Sequence, residues 1–295
     1  LISGIRKGIK EKGAVVSGVM SFLMGLSYIT KKLTGINPGS VFFKPVLKQA
    51  NISTLRVAIC GGGPLASSVF KTYNAMGINF IQGYGLTETS PIIALNPLEK
   101  FKIESVGRSF EPYAQIKILN PDGDGIGEIA AKGPMVMKGY YKMPEETAKM
   151  FTEDGWFKTG DLGKIDSEYY VTLCGRAKNM IVTSGGKNVY PEEIEDAFQL
   201  CDDIQQIVVQ GYTTKEDETS EEIEALIYPS DSAYEALGQK REEDFNSAQI
   251  NQRIQNEVSK VNKTLQPYAR ITRITILENP LEMTTTKKIK RNYKK

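Results

Sequence analysis

The spacing of hydrophobic and polar residues first becomes regular near residue 54. Residues 54–60 (TLRVAIC) form a short apolar, β-branched run that stops at three glycines, and residues 64–76 then read as a helix. A second strand is predicted at 78–82. Glycine-rich loops, 61–64 and 83–90, follow the two strands. Ligands of open α/β sheets bind outside the carboxyl ends of the strands, so both loops are candidate ligand sites.

The pattern changes between residues 103 and 174. Short alternating runs at 115–119, 127–132 and 169–173 are separated by Pro-Asp-Gly, Asp-Gly and Gly-Pro turns. Alternation with a period of two residues is typical of half-buried strands, and these turn residues connect antiparallel strands. The region therefore predicts an antiparallel sheet or a small barrel.

Helices and strands are mixed after Arg176. A helix is predicted to begin at Pro191, because Pro suits the first helical position and two glutamates follow it. The remaining predicted elements are strands at 206–210, 224–229 and 271–277 and a long helix at 248–265. This mixture predicts a compact α+β domain.

The predicted fold class is therefore α/β plus α+β, in three parts. Residues 1–102 are predicted to form a partial, parallel α/β subdomain. Residues 103–177 are predicted to form the β-barrel-like subdomain, and residues 178–295 a small α+β C-terminal domain.

An uncharged run, GAVVSGVMSFLMGLSYIT, occupies residues 13–30 between two groups of basic residues. Its length of about 18 residues touches the lower limit for a membrane span. Serines and glycines dilute its apolar character, so a buried or interfacial helix is favoured over a span or a signal segment. Contact with a membrane surface through residues 1–32 stays open as an alternative.

Composition excludes several classes of protein and of mechanism. The 295 residues are 40% hydrophobic and 24% charged, which is ordinary for a globular protein and excludes wholesale disorder and collagen. The sequence contains no histidine, so Ser-His-Asp, Cys-His and His-ligated metal chemistry are excluded. Its three cysteines have no CxxC spacing, which is compatible with a reducing compartment and predicts a cytoplasmic protein.

Charge is distributed unevenly although the net charge is only +2. Residues 1–60 contain nine Lys or Arg and one acidic residue, Glu11. Solvated faces explain most of this pattern, and an anionic surface or phosphate-bearing partner is the alternative. The basic residues are not interleaved with aromatic side chains, so no nucleic-acid partner is predicted.

Several short motifs carry candidate chemistry. In GYGLTETS, residues 83–90, glycines allow a ligand to approach the backbone, Thr87 and Thr89 supply hydroxyls, and Glu88 supplies a carboxylate suited to Mg²⁺ beside phosphate. A turn with a helix cap is the alternative interpretation. The other motifs are GGGP at 61–64, TGD at 159–161, GRAKNMI at 175–181, SGGKNVYPEEIE at 184–195 and TTTKKIKR at 284–291.

In this order, over residues 50–295, the motifs resemble the adenylate-forming superfamily of acyl-CoA synthetases, luciferases and peptide-synthetase adenylation domains. The basic, apolar N-terminal stretch looks most like the long-chain fatty acid-CoA ligases. The resemblance implies that ATP activates a carboxylic acid as acyl-AMP with release of pyrophosphate. The thiol of coenzyme A then captures the acyl group and releases AMP. ATP, Mg²⁺ and coenzyme A are the implied cofactors and substrates.

The resemblance also implies residue roles in nucleotide binding. Asp161 would accept hydrogen bonds from the ribose hydroxyls, and Arg176 would bind ribose or phosphate. Thr87 and Glu88 would serve the phosphates and the metal. Gly62, Gly63 and Pro64 are implied to lie against adenine, and Tyr84 would stack on its face. Gly85 is implied to be a further nucleotide-binding residue.

Further roles fall on the C-terminal part. Lys288 resembles the catalytic lysine of the family, although Lys287 stands where the family has glycine and the choice between these two lysines stays open. Lys178 matches the hinge about which the C-terminal domain of the family rotates. The residues implied to contact coenzyme A are Gly185 and Gly186, beside its pantetheine arm, and Lys187, at its phosphates.

The family's phosphate-binding loop ending in Pro-Lys-Gly does not occur in the sequence, and no Walker motif replaces it. The resemblance therefore implies the C-terminal half of a ligase, with little or no adenylation by this chain alone. An aryl-CoA, acyl-carrier-protein or amino-acid adenylating ligase is the enzymatic alternative. A non-catalytic nucleotide-binding or membrane-surface module is the alternative from another class.

Overall fold

The computed structural model describes residues 4–5, 8, 13–63, 65–214, 217–285 and 288–291. The chain separates into two compact units, Leu1–Cys174 and Gly175–Lys295. Each unit has a hydrophobic core of its own. The predicted division at residues 102 and 177 into three parts stays a prediction.

The first unit combines helices with two four-stranded sheets. Its helices are α1 (Ala14–Thr34), α2 (Gly39–Phe42), α3 (Lys44–Gln49), α4 (Ser67–Ala75) and α5 (Pro144–Lys149). Its strands are β1 (Ala58–Cys60), β2 (Phe80–Gly85), β3 (Ile92–Leu95), β4 (Arg108–Ser109), β5 (Gln115–Leu119), β6 (Gly127–Lys132), β7 (Phe157–Ile165) and β8 (Val171–Arg176), the last of which ends beyond the division between the units.

The first sheet has the strand order β1-β2-β3-β4, with β1 and β2 parallel and the following pairs antiparallel. The parallel pair and α4 between its strands form the predicted strand-loop-helix unit. The second sheet has the order β5-β6-β7-β8, and its first three strands pair antiparallel. Of the two predicted arrangements after residue 103, an antiparallel sheet or a small barrel, the structure has the sheet.

Helix α1 covers the predicted apolar run, but the interpretation of that run as a buried helix is wrong for this structure. Only Ser27 and Lys31 of the helix are buried. The other face exposes an apolar stripe at alternating spacings of four and three residues, and its members are Val15, Val19, Phe22, Leu26, Ile29 and Leu33. Among the described residues, α1 is long and apolar enough to cross a membrane by length and composition alone.

The inner face of α1 is fixed by apolar contacts and by one buried amine. Met20, Leu23 and Met24 pack against the cluster around Phe70 and Phe80. The Lys31 ammonium donates hydrogen bonds to Asn74 Oδ1 at 2.8 Å, to the Ile78 carbonyl at 3.2 Å and to Asn79 Oδ1 at 3.0 Å. These three oxygens satisfy all of its donors.

The second unit is built on a three-stranded sheet. Its helices are α6 (Pro191–Asp196), α7 (Asp231–Glu235), α8 (Arg241–Asp244) and α9 (Ala248–Asn262). Its strands are β9 (Ile181–Val182), β10 (Asn188–Val189), β11 (Ile204–Thr214), β12 (Asp217–Pro229) and β13 (Arg273–Ile276). The sheet has the order β11-β12-β13, with β11 and β12 antiparallel and β12 and β13 parallel.

Helix α9 covers this sheet with one apolar face. Ile250, Ile254 and Val258 are buried, and their spacing of four residues places them on one side of the helix. Ser247 begins the helix by accepting a hydrogen bond from the Ile250 amide. The predicted helix and strands are therefore present, although β11 and β12 extend further than the predicted runs.

Burial lowers the pKa of Lys31 to about 8. The unfolded chain then binds more protons than the folded chain between about pH 8 and 10.5, so this amine adds stability as the pH rises through that window. We expect the free energy of unfolding to rise there by about 1–2 kcal/mol relative to a Lys31→Met variant, because solvent screening reduces the full effect.

Urea unfolding of the first unit, followed at several pH values, measures this difference. Lys32→Met is the matched control because Lys32 is the exposed neighbour. If Lys31→Met and Lys32→Met changed the pH dependence of the free energy of unfolding equally, the lowered pKa would not belong to Lys31.

Candidate functional site

Tyr84 and Asp161 meet where the two sheets of the first unit approach each other. Tyr84 lies on β2, and its hydroxyl donates a hydrogen bond to Oδ2 of Asp161, on β7, at 2.6 Å. The two residues are 6% and 9% exposed. A carboxylate that is held in this way has a fixed orientation. Stacking of the Tyr84 ring on adenine stays a prediction, whereas its packing beside Ile93 and Val106 is observed.

The TGD motif that contains Asp161 is fixed by hydrogen bonds of all three residues. The Thr159 hydroxyl donates to the Ile129 carbonyl at 2.8 Å and accepts the Asp161 amide at 3.1 Å. The Gly160 amide donates to Glu128 Oε1 at 3.0 Å. Strand β6 therefore sets the position of the Asp161 carboxylate through its neighbours.

The loop after β2 turns back on itself at Gly85. An added Cβ at Gly85 would lie 1.8 Å from the Pro91 carbonyl oxygen, so only glycine fits there. Thr89 is fully buried, and its hydroxyl donates to the Pro91 carbonyl at 2.6 Å. The expectation that Thr89 offers a hydroxyl to a ligand is therefore wrong, because that group closes the turn. Thr87, in contrast, is exposed.

Glu88 lies in the short 3-10 turn Thr87–Thr89 and is joined to the segment before α5. Its carbonyl accepts the Met137 amide at 2.7 Å, and its Oε1 accepts the Tyr140 hydroxyl at 3.0 Å. Sequence reasoning missed Tyr140, because 52 residues separate it from Glu88. The surrounding sequence, KGYYK at 138–142, contains no motif that would predict this contact.

The glycine loop after β1 presents open backbone. Gly62 has a φ of +81°, and nothing lies within 4 Å of a Cβ added at Gly62 or Gly63. Among the described residues, the backbone of both glycines is therefore open on the side where a Cβ would lie. Pro64, the third residue predicted to lie against adenine, is outside the described residues.

In the second unit, Arg176 ends β8, and Lys178 is exposed in the short turn Ala177–Asn179. The neighbouring Asn179 is buried, and its amide donates to Glu192 Oε1 at 2.5 Å. The residue after the predicted hinge is thus tied to α6. The hinge role of Lys178 stays a prediction.

Gly185, Gly186 and Lys187 form the tip of the hairpin between β9 and β10. The Gly186 amide donates to the Thr183 carbonyl at 2.8 Å, and Gly186 has a φ of +66°. A Cβ added at Gly185 or Gly186 would meet nothing within 4 Å, and all three residues are exposed. The tip is therefore open enough for a thin ligand chain to lie against the backbone.

Lys288 is exposed near the C-terminus, in a turn whose two sides pair at Met283 and Ile289. The Lys288 amide donates to Thr284 Oγ1 at 3.1 Å, and its carbonyl accepts the Thr284 amide at 2.7 Å. Lys287, the alternative catalytic lysine, is outside the described residues.

The described residues contain no cluster of three or more metal-binding side chains. A single carboxylate such as Glu88 suits Mg²⁺, because this ion keeps water and is commonly held by one or two carboxylates and substrate phosphates. Binding of Mg²⁺ by Glu88 stays a prediction.

The family model of the AMP-binding enzyme matches residues 14–141. The model of the AMP-binding enzyme C-terminal domain matches residues 178–294. The chain belongs to the adenylate-forming enzymes. It is 39% identical over 165 residues to the long-chain-fatty-acid-CoA ligase FadD15 of Mycobacterium bovis, covering 56% of this chain. It is 31% identical over 290 residues to the Arabidopsis thaliana long-chain-fatty-acid acyl-carrier-protein ligase AEE15, covering 93% of this chain.

Solved adenylate-forming enzymes have the same fold. ATP-bound MatB from Rhodopseudomonas palustris matches 86% of this chain with a TM-score of 0.64 and 27% identity. O-succinylbenzoate coenzyme A synthetase from Bacillus subtilis, in complex with ATP and magnesium, matches 84% with a TM-score of 0.65 and 25% identity. The chain spans 48% of each of these structures, and 26% of FadD15 and 37% of AEE15.

In this member of the family, burial raises the pKa of Tyr140, and the hydrogen bond and negative charge of Glu88 raise it further. We therefore expect Glu88→Gln to lower the pKa of Tyr140 while leaving it above the ordinary value. NMR titration of ring-labelled tyrosine, assigned with Tyr140→Phe, measures the change. The exposed Tyr141 is the internal control, and equal shifts of both tyrosines would contradict the contact.

Proposed function

We propose that this chain serves an ATP-dependent ligase that activates a long-chain fatty acid as acyl-AMP and transfers the acyl group to coenzyme A. The observation that carries this proposal is the buried hydrogen bond from Tyr84 to Asp161, within an adenylate-forming fold. The fatty acid is proposed because the relatives FadD15 and AEE15 are both named as long-chain-fatty-acid ligases.

Asp161 is the proposed ribose ligand. Its carboxylate is oriented by the Tyr84 hydroxyl and by the backbone contacts of the TGD motif. A preorganised acceptor binds vicinal hydroxyls without first losing conformational freedom. Gly62 and Gly63 offer open backbone for the adenine ring, and Arg176 is the proposed partner of ribose or phosphate.

In the first half-reaction a carboxylate oxygen attacks the α-phosphorus of ATP, and pyrophosphate leaves. Negative charge grows on the phosphate oxygens, and the exposed ammonium of Lys288 is the proposed group that stabilises it. Thr87 and Glu88 are the proposed contacts of the phosphates and of Mg²⁺. The ion, when bound, neutralises phosphate charge.

In the second half-reaction the thiol of coenzyme A attacks the acyl carbon, and AMP leaves. AMP is a far better leaving group than hydroxide, which is the chemical reason for an adenylate intermediate. The open tip at Gly185 and Gly186 is the proposed path of the pantetheine arm, with Lys187 at its phosphates. Lys178 is the proposed hinge between the two half-reactions.

A calorimetric titration with a non-hydrolysable acyl-adenylate analogue tests this function. We expect Asp161→Ala to weaken binding by about 10- to 100-fold, since a hydrogen bond to a charged group contributes about 1.5–3 kcal/mol. Asp166→Ala is the matched control, because Asp166 lies after the same strand but is exposed and paired with Lys102. Equal affinity of both variants for the analogue would overturn the ribose assignment.

The apolar stripe of α1 supports a second proposal, that of peripheral contact with an anionic membrane. Phe22 and Leu33 are 70% and 79% exposed. No acidic residue lies between Glu11 and Glu88. Among the described residues of that interval, the exposed basic ones are Lys32, Lys44, Lys48, Arg56 and Lys71. An apolar helix face beside positive charge suits a negatively charged lipid surface, and the predicted cytoplasmic localisation would then include the membrane surface.

Cosedimentation with phosphatidylserine vesicles tests this contact. We expect the double variant Phe22→Asp, Leu26→Asp to bind at least about tenfold more weakly, because each buried side chain of this size contributes about 1.5–3 kcal/mol. Tyr141→Asp, at a strongly exposed aromatic residue outside α1, is the control. Unchanged binding of the double variant, or equal binding to neutral phosphatidylcholine vesicles, would contradict the proposal.

A further inference from the structure

The described residues on either side of the C-terminal turn that carries Lys288, 282–285 and 288–290, pair as the two sides of a small hairpin, which we call the Lys288 hairpin. Its two sides are joined by the bridge between Met283 and Ile289 and by the hydrogen bond from the Lys290 amide to the Glu282 carbonyl at 2.8 Å. A two-stranded hairpin this short is not stable by itself in water. Something outside the hairpin must therefore fix it in place.

Contacts to β11 and α6 hold the base of the hairpin on both sides. On one side, the Leu281 amide donates to Gln206 Oε1, on β11, at 2.7 Å. On the other side, Arg291 Nη1 donates to the Val209 carbonyl at 3.1 Å, and Nη2 donates to Glu195 Oε2 at 2.5 Å. Arg291 thus reaches both a strand and a helix of the same unit.

Glu195 is shared between Arg291 and the sheet. Its second oxygen, Oε1, accepts the Val209 amide at 2.7 Å, so the carboxylate joins the strand to the arginine. The side chains of Arg291 and Glu195 are only 14% and 16% exposed. Glu192 Oε1 lies 3.7 Å from Arg291 Nη2 and adds a second negative charge. The rigid planar fork of arginine suits these separate acceptors, which lysine cannot reproduce.

We propose that Arg291, through its ion pair with Glu195 and its hydrogen bond to Val209, is a positioning residue for the Lys288 hairpin. This inference rests on the catalytic role proposed for Lys288. Arg291 lies three positions after Lys288, so a fixed Arg291 restricts where the exposed Lys288 ammonium can lie. A flexible ammonium stabilises a transition state poorly, because the cost of orienting it is paid during the reaction.

Amide exchange measured by NMR on the whole chain tests the anchoring without any assay of activity. Burial raises the pKa of Glu195 to about 7, so the comparison is made near pH 8, where the carboxylate is charged. We expect Arg291→Gln and Glu195→Gln each to accelerate exchange of the Thr284 and Lys290 amides by at least about tenfold. Amides of β12 should keep their wild-type exchange rates, which shows that the unit remains folded.

Two further variants separate the positioning role from a general effect of charge. Lys290→Gln removes only an exposed ion pair, to Glu282, and should change exchange by less than about twofold. Arg291→Lys keeps the charge but loses the fork, so it should restore protection only in part. The proposal is overturned if Arg291→Gln and Glu195→Gln leave the exchange of Thr284 and Lys290 at the wild-type rate.

A second readout follows the Lys288 side chain itself. An adenosine derivative with a lysine-reactive sulfonyl fluoride is incubated with each variant, and labelling of Lys288 is measured by mass spectrometry. We expect Arg291→Gln to reduce this labelling about fivefold, while labelling by a simple acylating reagent stays unchanged. Equal labelling of Arg291→Gln and wild type by the adenosine reagent would overturn the positioning role.

Amide exchange and labelling of Lys288 distinguish failure of the positioning role from failure of the proposed function. If wild-type Lys288 is not labelled by the adenosine reagent although the exchange results are as expected, the catalytic role of Lys288 is wrong and the anchoring of the hairpin is right. If Lys288 is labelled and exchange does not respond to Arg291→Gln, the proposed function is supported and the positioning role is wrong.

Discussion

The hydrogen bond from the Tyr84 hydroxyl to the Asp161 carboxylate is the interaction on which the proposed nucleotide site of the first unit depends. It connects β2 of the parallel pair to β7 of the antiparallel sheet, at residues that are 77 positions apart. Because both groups are buried, neither could be left without a partner at low cost. The same contact that joins the sheets therefore also orients the carboxylate proposed to bind ribose.

The second unit has a similar arrangement, but here the donor to the carboxylate is a cation, Arg291. The partly buried Glu195 links α6 to β11 and, through Arg291, to the hairpin that carries Lys288. In both units a hydrogen-bond donor fixes an acidic side chain. In the first unit the acid, Asp161, is itself the proposed ribose ligand. In the second unit the acid, Glu195, holds Arg291, which lies in the same segment as Lys288. Burial and hydrogen bonding thus do the positioning, whereas the exposed glycine loops leave room for ligands.

Local patterns predicted the elements well where spacing alone decides them. The strands Gln115–Leu119 and Gly127–Lys132 alternate in sequence and were predicted at the observed bounds. Helix α1 was predicted, but not its exposed stripe, because burial depends on what packs against a helix and not on its own pattern. The inward turn of the Thr89 hydroxyl could not be predicted either, since it depends on the return of the chain at Pro91.

The motifs identified candidate residues but not their partners. Tyr140 lies outside the recognised motifs. Glu195 and Arg291 are the last residues of two of them, 184–195 and 284–291, but neither motif predicts that the two side chains pair. These contacts join residues 52 and 96 positions apart. Only tertiary structure brings such groups together. The sequence motifs therefore predict which chemistry to look for, and the fold determines which side chains hold it in place.

The most direct test of the central claim compares the affinity of the chain for AMP with its affinity for 2′,3′-dideoxy-AMP, which lacks the ribose hydroxyls. If Asp161 binds those hydroxyls, the wild type prefers AMP by about tenfold or more, and Asp161→Ala shows no preference. Equal affinity of the wild type for the two nucleotides would contradict the claim.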